Sequence, residues 1–464
     1  MRDAVRLDLD PTHRLRVHLV GIGGAGMSAI ATVLATLGHE VTGSDLRTSR
    51  SLESLRARGI DVRVGHDASA VAGVDVVTRS TAVPDHNVEV VAAREAGIPV
   101  LSRAEVLAAL TLLRPTLAVA GTHGKTTTSS MTALALRHAG LDPSFIIGGD
   151  VNEIGSGAHW GGDDGWFVVE ADESDGTFLA LDAGAAIVTS VEPDHLEHWG
   201  GFDALSDAFG EFLARVDGPR IVYADDPGAA AVAERVGALT YGVSADADVR
   251  LVDRRARRTG SSFRLERAGQ LLAEVTIPLP GLHNALNATA ALVAATELGA
   301  DVDAVVEALG RFAGVARRFE HRGTAGGVTF VDDYAHLPTE VAATLEAARG
   351  GGWDRIVCVF QPHRFSRTET LAATFADAFG DADRIVVTDV YGAGEKPRPG
   401  VTGKLIVDAV LDAHPRADVA WLPHRGDLTD YLTRRLRPGD LCLTLGAGDL
   451  PSMADVVAAQ LEQR

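Results

Sequence analysis

AVAGTHGKTTT, residues Ala118 to Thr128, decides how the rest of the chain is read. The apolar run TLAVA ends at Gly121, and an apolar, hydroxyl-rich segment follows Lys125, so the pattern predicts strand, glycine loop and helix in succession. A loop in that position turns backbone amides toward an anion. Gly121 and Gly124 permit the turn, Thr122 and His123 complete it, and Lys125 is placed to reach the terminal phosphates of ATP. The hydroxyl of Thr126 or Thr127 can serve magnesium. Val119 occupies the place where the usual eight-residue phosphate loop has its first glycine, so the match is to a variant of that loop. Lysine usage favours the phosphate reading over a structural turn. Of 43 basic residues only Lys125, Lys396 and Lys404 are lysines, and one of them sits in this loop.

Toward the amino terminus a second glycine-rich turn, GIGGAGMS, spans Gly21 to Ser28 after the strand-like run RVHLV. Asp45 follows about 20 residues later, as in a nicotinamide dinucleotide fingerprint. Glycines of this kind cradle a diphosphate whatever is attached to it, so a sugar nucleotide fits the same physics. A nicotinamide-dependent oxidoreductase accounts for residues 16 to 45 and leaves AVAGTHGKTTT unexplained.

At 464 residues the chain exceeds one ordinary core, and about 150 residues per domain predicts three. Short apolar strands alternate with helical runs in each third, which predicts α/β architecture. The expected parts are an N-terminal Rossmann-like domain over 1–108, a central ATP-binding domain with a mostly parallel sheet over 109–316, and a Rossmann-like C-terminal domain over 317–464. Residues 240–280 break the pattern with β-like pieces and turns that predict hairpins or a sheet edge, and the basic run Arg254 to Arg258 reads as a solvated turn. A formal charge of −20 argues against a nucleic-acid partner, so anionic ligands must be held by local positive groups. No apolar run approaches the roughly 20 residues that span a bilayer, and the first residues lack a signal-peptide core, so a cytoplasmic protein without membrane association is expected. Cys358 and Cys442 lie in apolar strand-like runs and read as packing residues.

Carboxylates gather just past two strands of the central segment. Glu170 closes WFVVE and leads into EADESD with Asp172 and Glu173, while Glu192, Asp194 and His195 follow AAIVTS. Open α/β sheets place ligands beyond the carboxyl ends of their strands, and magnesium takes oxygen ligands there. Taken singly, Asp172, Asp194 and Glu197 read as caps or solvated groups, whereas Glu170 and His195 beside a phosphate loop read as metal ligands. Asn284 and Asn287 share a face of an alanine-rich helix. Capping accounts for Asn284, while Asn287 needs a partner. Arg317 and Arg318 add positive charge, and the third segment offers Asp332, Asp333, Tyr334 and His336 at one strand end and His363, Arg364 and Arg367 at another. Arginine forks of this kind suit an acidic second substrate.

These stretches, together with EPDHLEH, GLHNALNATAA, RRFE, DDYAHLPTE, QPHRFSRT and LGAGD in that order, resemble the Mur ligases of peptidoglycan synthesis from about residue 15 to the end. The resemblance is to the branch that joins L-alanine to UDP-N-acetylmuramate, with glycine left open as the amino acid, and a monomer or weak homodimer is expected. It implies that Gly21, Gly23, Gly24, Gly26, Met27 and Ser28 hold the sugar nucleotide and that Gly121 to Thr127 hold ATP, Lys125 and Thr126 its phosphates. Thr126, Glu170, Glu173 and His195 are implied as magnesium ligands. Asn284, Asn287, Arg318 and Asp333 would contact nucleotide, and His336, Arg364 and Arg367 would orient the amino acid. Lys125, His195, Arg318, His336, Arg364 and Arg367 are the candidate catalytic set. A lysyl carbamate, used by some sister ligases, is excluded after His195 because the next lysine is Lys396. Ser190 replaces the family's asparagine before EPDH, Leu337 replaces its second histidine, and the stretch after Asn152 lacks its arginine. The branch that recycles an intact tripeptide has a first glycine loop unlike GIGGAGMS, and folate-type glutamate ligases share the ATP domain but not the sugar loop of the first segment.

Overall fold

The computed structural model describes Leu7, Leu9 and residues 12–462. Three sheets carry the chain. The first has five parallel strands in the order Asp61–Val64, Glu40–Asp45, Arg16–Val20, Val76–Arg79 and Val100–Ser102. Its centre is Arg16–Val20, from which the chain passes through Gly21 to Gly24 into helix Ala25–Thr36. Val17, His18, Leu19 and Val20 are all buried, the mark of a sheet covered on both faces.

The second sheet has ten strands. From one edge they run Gln270–Ile277, Gly260–Arg267, Val249–Arg257, Leu239–Gly242, Arg220–Tyr223, Ala185–Val188, Thr116–Ala120, Phe167–Glu170, Ser144–Val151 and Ser156–His159. Thr116–Ala120 lies between Ala185–Val188 and Phe167–Glu170, parallel to both. The glycine loop and both carboxylate clusters therefore emerge from the same end of three adjacent strands, two of them flanking the one that leads into Gly121. Helix Lys125–His138 follows the loop. Gln270–Ile277, Gly260–Arg267 and Val249–Arg257 are joined by two-residue turns, which are the expected hairpins. The third sheet has six strands in the order Glu320–Ala325, Val328–Asp333, Asp440–Leu445, Arg355–Phe360, Arg384–Val387 and Val419–Trp421, parallel except for the first pair.

Two compact units result. One holds the described residues through Val252 with Arg264–Val275 and Leu286–Phe312. The other holds Asp253–Phe263, Thr276–Ala285 and the chain from Ala313. In the first unit the glycine-loop helix and the central sheet share one apolar core, with Ile30, Ala31 and Val33 in the same cluster as Ile146, Ala158 and Val169. In the second, Val331, Val341, Ile356, Phe360 and Leu443 form the main cluster, and Cys358 is buried in it. Burial pushes both thiols up, so Cys358 and Cys442 are packing groups.

The basic run is corrected by the structure. Arg254 to Arg257 end strand Val249–Arg257 instead of forming a turn, because the hairpin pairing carries the strand past the end of its buried–exposed alternation, with Arg255, Ala256 and Arg257 all exposed. Arg254 pairs with Glu346 at 3.0 Å, and Arg258 lies over the Trp353 ring while donating to the Gly351 and Gly352 carbonyls. No helix among the described residues is long and apolar enough to cross a membrane.

Candidate active site

The loop at Gly121 is built by close approach. A Cβ on Gly121 would collide with Thr189 Oγ1 and come within 2.9 Å of the Ser190 amide, so only glycine, here at φ +128°, fits. Gly124 caps the helix in the left-handed region at φ +77°, and a Cβ there would lie 2.6 Å from Asn287 Oδ1. Between the two glycines the loop is knitted to its neighbour. Thr122 N donates to Ser190 O at 3.1 Å, His123 N to Ser190 Oγ at 3.1 Å, and Glu192 N to Thr122 Oγ1 at 2.9 Å. His123 Nε2 also faces Glu192 at 3.3 Å. Ser190, the family's asparagine position, is thus a loop brace.

Lys125 is the buried cation of this site. Its Nζ donates to Gly121 O at 2.6 Å and to both Glu173 oxygens at 3.0 and 2.8 Å, with Thr122 O at 3.4 Å. Burial alone would lower its pKa. Glu173, Asp172 and Glu170 outweigh that penalty and raise it, so the ammonium stays charged. Thr126 Oγ1 donates to Glu170 Oε1 at 2.9 Å, and Glu170 Oε2 accepts from Gly148 N at 2.7 Å. Asp172, expected as a cap or a solvated group, is half-buried beside Lys125 and accepts from Ser174 N at 3.0 Å. Burial opposes its ionisation, but Lys125 and the Ser174 amide hold its carboxyl below the ordinary range.

The four expected metal ligands do not form one cage. Glu170 faces Thr126, Glu173 is committed to Lys125, and His195 Nε2 faces Asp194 at 3.3 Å. Among the described residues no group of three or more His, Cys, Asp or Glu side chains is arranged to hold a metal ion. Magnesium keeps most of its waters and is bound through one or two carboxylates plus phosphate oxygens, so the Thr126–Glu170 pair fits it without a cage. His195 has φ +52°, a conformation uncommon outside glycine and worth attention near a site. Asn287 finds its partner in the loop helix, where Thr128 Oγ1 donates to its Oδ1 at 3.2 Å.

The glycines of the first loop divide their work. Gly21 N and Ile22 N both donate to Ser44 O, at 2.8 and 3.0 Å, and Gly23 N donates to Asp45 Oδ2 at 2.9 Å. Asp45 therefore braces the loop. The amides left for an anion include those of Gly26 and Met27 in the first turn of helix Ala25–Thr36, with Gly24 as its cap, whereas the amide of Ser28 already donates to Gly24 O at 2.8 Å.

The second unit gathers its own set at the carboxyl ends of Val328–Asp333 and Arg355–Phe360. Asp333 accepts from Phe319 N at 2.7 Å and Ala335 N at 2.8 Å. Burial pushes its pKa up to about 6 against the pull of Arg318. Arg317 is spent on Asp332 and Gly446 O, while Arg318 lies 5.0 Å over the Tyr334 ring. Asn284 Nδ2 donates back to Pro280 O at 2.8 Å, and neighbouring His283 is lowered to about 4 by burial and then by Arg254 and Arg318. His336 Nδ1 faces Tyr334 O at 3.1 Å and Glu340 at 3.2 Å, which leaves Nε2 as its acceptor. Its ring lies 5.5 Å from that of His363, which burial, then His336, Arg367 and Arg364, lower to about 3. Neutral His363 accepts from Arg367 at 3.0 Å through Nδ1 and stacks on Tyr391. Arg364 has φ +67°, and its Nε is buried with no hydrogen-bond partner, a donor left over for a ligand. Tyr391 and Glu395, which anchors Ser366 through both its amide and its hydroxyl, lie in a loop whose sequence carries no motif that marks them.

This arrangement has close counterparts. Residues 16–114 match the Mur ligase family catalytic domain, 119–295 the Mur ligase middle domain, and 317–448 the Mur ligase glutamate ligase domain. The chain is 48% identical to the UDP-N-acetylmuramate--L-alanine ligase of Saccharopolyspora erythraea, with 97% of this chain and 94% of that protein covered. It is 50% identical to the ligase of the same name from Kineococcus radiotolerans, with 97% of each covered. Among solved structures it is similar to the UDP-N-acetylmuramate-alanine ligase of Thermotoga maritima, at 30% identity and a TM-score of 0.83 over 97% of this chain and all of that one. A murein peptide ligase from Psychrobacter arcticus follows at 25% identity and 0.69, over 97% of this chain and 99% of that one. With all three family domains matched along residues 16–448 and relatives 48 and 50% identical over nearly the whole chain, the chain belongs to the Mur ligase family.

Proposed function

We propose that this chain is an ATP-dependent ligase that joins L-alanine to the lactyl carboxylate of UDP-N-acetylmuramate through an acyl phosphate, in peptidoglycan precursor synthesis. The observation that carries the reading is the phosphate loop, with Lys125 held to Glu173 and Thr126 to Glu170, in a chain like L-alanine ligases along nearly its whole length.

The roles divide along the chain, with sugar nucleotide on 1–108, ATP on 109–316 and amino acid on 317–464. Gly121 to Thr127 wrap the ATP phosphates, and Lys125 exchanges its longest bond, to Thr122 O, for a terminal phosphate oxygen. Thr126 and Glu170 would hold magnesium, with His195 and Glu173 as further candidate ligands, and the ion would supply neutralisation of phosphate charge. The lactyl carboxylate attacks the γ-phosphorus, the bond to the bridging oxygen breaks, and ADP departs. The amine of L-alanine then attacks the acyl carbon, and the tetrahedral intermediate expels inorganic phosphate to leave the amide. His336 Nε2 is the acceptor suited to the amine proton, and the Arg364 and Arg367 forks suit the alanine carboxylate. Asn284, Asn287, Arg318 and Asp333 are the residues we assign to nucleotide contact. Positioning and charge stabilisation supply most of the acceleration. ATP and nucleotide sugars are cytoplasmic, and we place the reaction there.

The test is phosphate release from ATP, magnesium and UDP-N-acetylmuramate with no amino acid, L-alanine, glycine, L-serine or tripeptide, with product mass read in parallel. Release and an adduct with L-alanine are expected. An adduct with tripeptide alone would transfer the chain to the recycling branch, and no adduct at all would remove the reading.

A further inference from the structure

Arg103 lies between the two glycine loops of the first unit. Ser102 caps helix Arg103–Thr111 in a capping box with Glu105, which fixes Arg103 at the first helical position. A cation there faces the positive end of the helix dipole, so the helix itself gains nothing from it. Its side chain lies across the start of helix Ala25–Thr36. A Cβ on Gly26 would come within 3.0 Å of Nη1 and 3.3 Å of Cδ, so this glycine makes room for an arginine as well as for a phosphate. On the other side Nη2 is 3.5 Å from Asp172 Oδ2, and Asp172 is among the carboxylates that hold Lys125 charged. The loop Gly21 to Ser28 has no basic side chain of its own.

We infer that Arg103 is a substrate-binding residue that holds the reacting carboxylate of the sugar nucleotide; the inference rests on the ligase reading above. A diphosphate on the first turn of helix Ala25–Thr36 leaves the sugar's carboxylate to reach a phosphate at Lys125, and the guanidinium spans that interval. Asp172 engages one edge of the fork, which leaves further donors for a second carboxylate. The same cation offsets the repulsion between an anionic nucleophile and the phosphate it attacks. An ordinary half-exposed ion pair would contribute little and affect no ligand.

The experiment is calorimetric titration of wild type, Arg103→Met and Arg103→Lys with UDP-N-acetylmuramate, with UDP-N-acetylglucosamine, which lacks the lactyl carboxylate, and with a non-hydrolysable ATP analogue. Loss of a charge-assisted bond predicts that Arg103→Met binds UDP-N-acetylmuramate about tenfold or more weakly. The other two ligands should change less than about twofold, with Arg103→Lys intermediate for UDP-N-acetylmuramate. Equal weakening of both sugar nucleotides would put Arg103 on the diphosphate and overturn the inference, as would unchanged binding of all three. Should Arg103→Met also lose the ATP analogue, Arg103→Lys decides, selective weakening supporting the inference and uniform loss overturning it. Wild-type protein that fails to bind UDP-N-acetylmuramate would instead sink the ligase reading.

Discussion

Lys125 reaches its acceptors because Gly121 turns its carbonyl inward and Glu173 rises beneath the loop, so the ammonium and the carboxylate are buried as a pair. Removing one member of such a pair leaves an uncompensated charge, which costs about 3–5 kcal/mol. Lys125→Met is therefore expected to lose stability in urea by that order, and Lys125→Met with Glu173→Gln to recover most of it. Neither should recover phosphate release, which falls by about 10³-fold or more when the cation aimed at the transferring phosphate is gone. A double variant that regains activity along with stability would show that Lys125 serves only the fold. Lys125 was legible in the sequence because a chain so poor in lysine places one inside a glycine loop. Glu173 was legible only as one carboxylate among several. Its commitment to Lys125 depends on how EADESD leaves its strand, which no spacing specifies. Arg103 carried one faint signal, a cation where a helix dipole disfavours it.

At the scale of elements, the strand, loop and helix at 116–138 were readable because the hydrophobic period changes across two glycines. The hairpins of residues 249–277 were readable for the same reason, while the basic run beside them was not. Charge pattern alone does not separate a strand end docked on Glu346 and Trp353 from a solvated turn. Glycine identity has an energetic content here. Gly124 combines a left-handed backbone with a side-chain oxygen 2.6 Å from the position of a Cβ. Gly124→Ala is expected to cost about 1–3 kcal/mol in urea unfolding. It should also raise the KM for ATP more than that for UDP-N-acetylmuramate, since Asn287 and the loop must separate. Unchanged stability and KM would mean that the loop is not held in this conformation.

For the whole molecule, a net charge of −20 meets two anionic substrates of the proposed reaction and the carboxylate of a zwitterionic amino acid, so each needs its own local cation. The structure supplies Lys125, Arg103, Arg364 and Arg367 beside glycine loops and strand ends, where open α/β sheets collect ligands. Three sheets of five, ten and six strands were foreseen as three segments of alternating strand and helix, because that pattern is written locally. Which strand ends become neighbours follows from strand order, and that is long-range information. The same distinction explains why candidate residues were found while their partners, Tyr391 stacked on His363 among them, were not. The central claim is that the carboxylate of the sugar nucleotide is activated by phosphoryl transfer. It is tested most directly by running the reaction with UDP-N-acetylmuramate labelled with ¹⁸O in its lactyl carboxylate, together with ATP and L-alanine, and weighing the inorganic phosphate released. Attack through a carboxylate oxygen followed by loss of phosphate from the acyl carbon predicts one ¹⁸O in each phosphate formed from fully labelled substrate. Phosphate without label, while the amide still forms, would contradict an acyl phosphate and the account built on it.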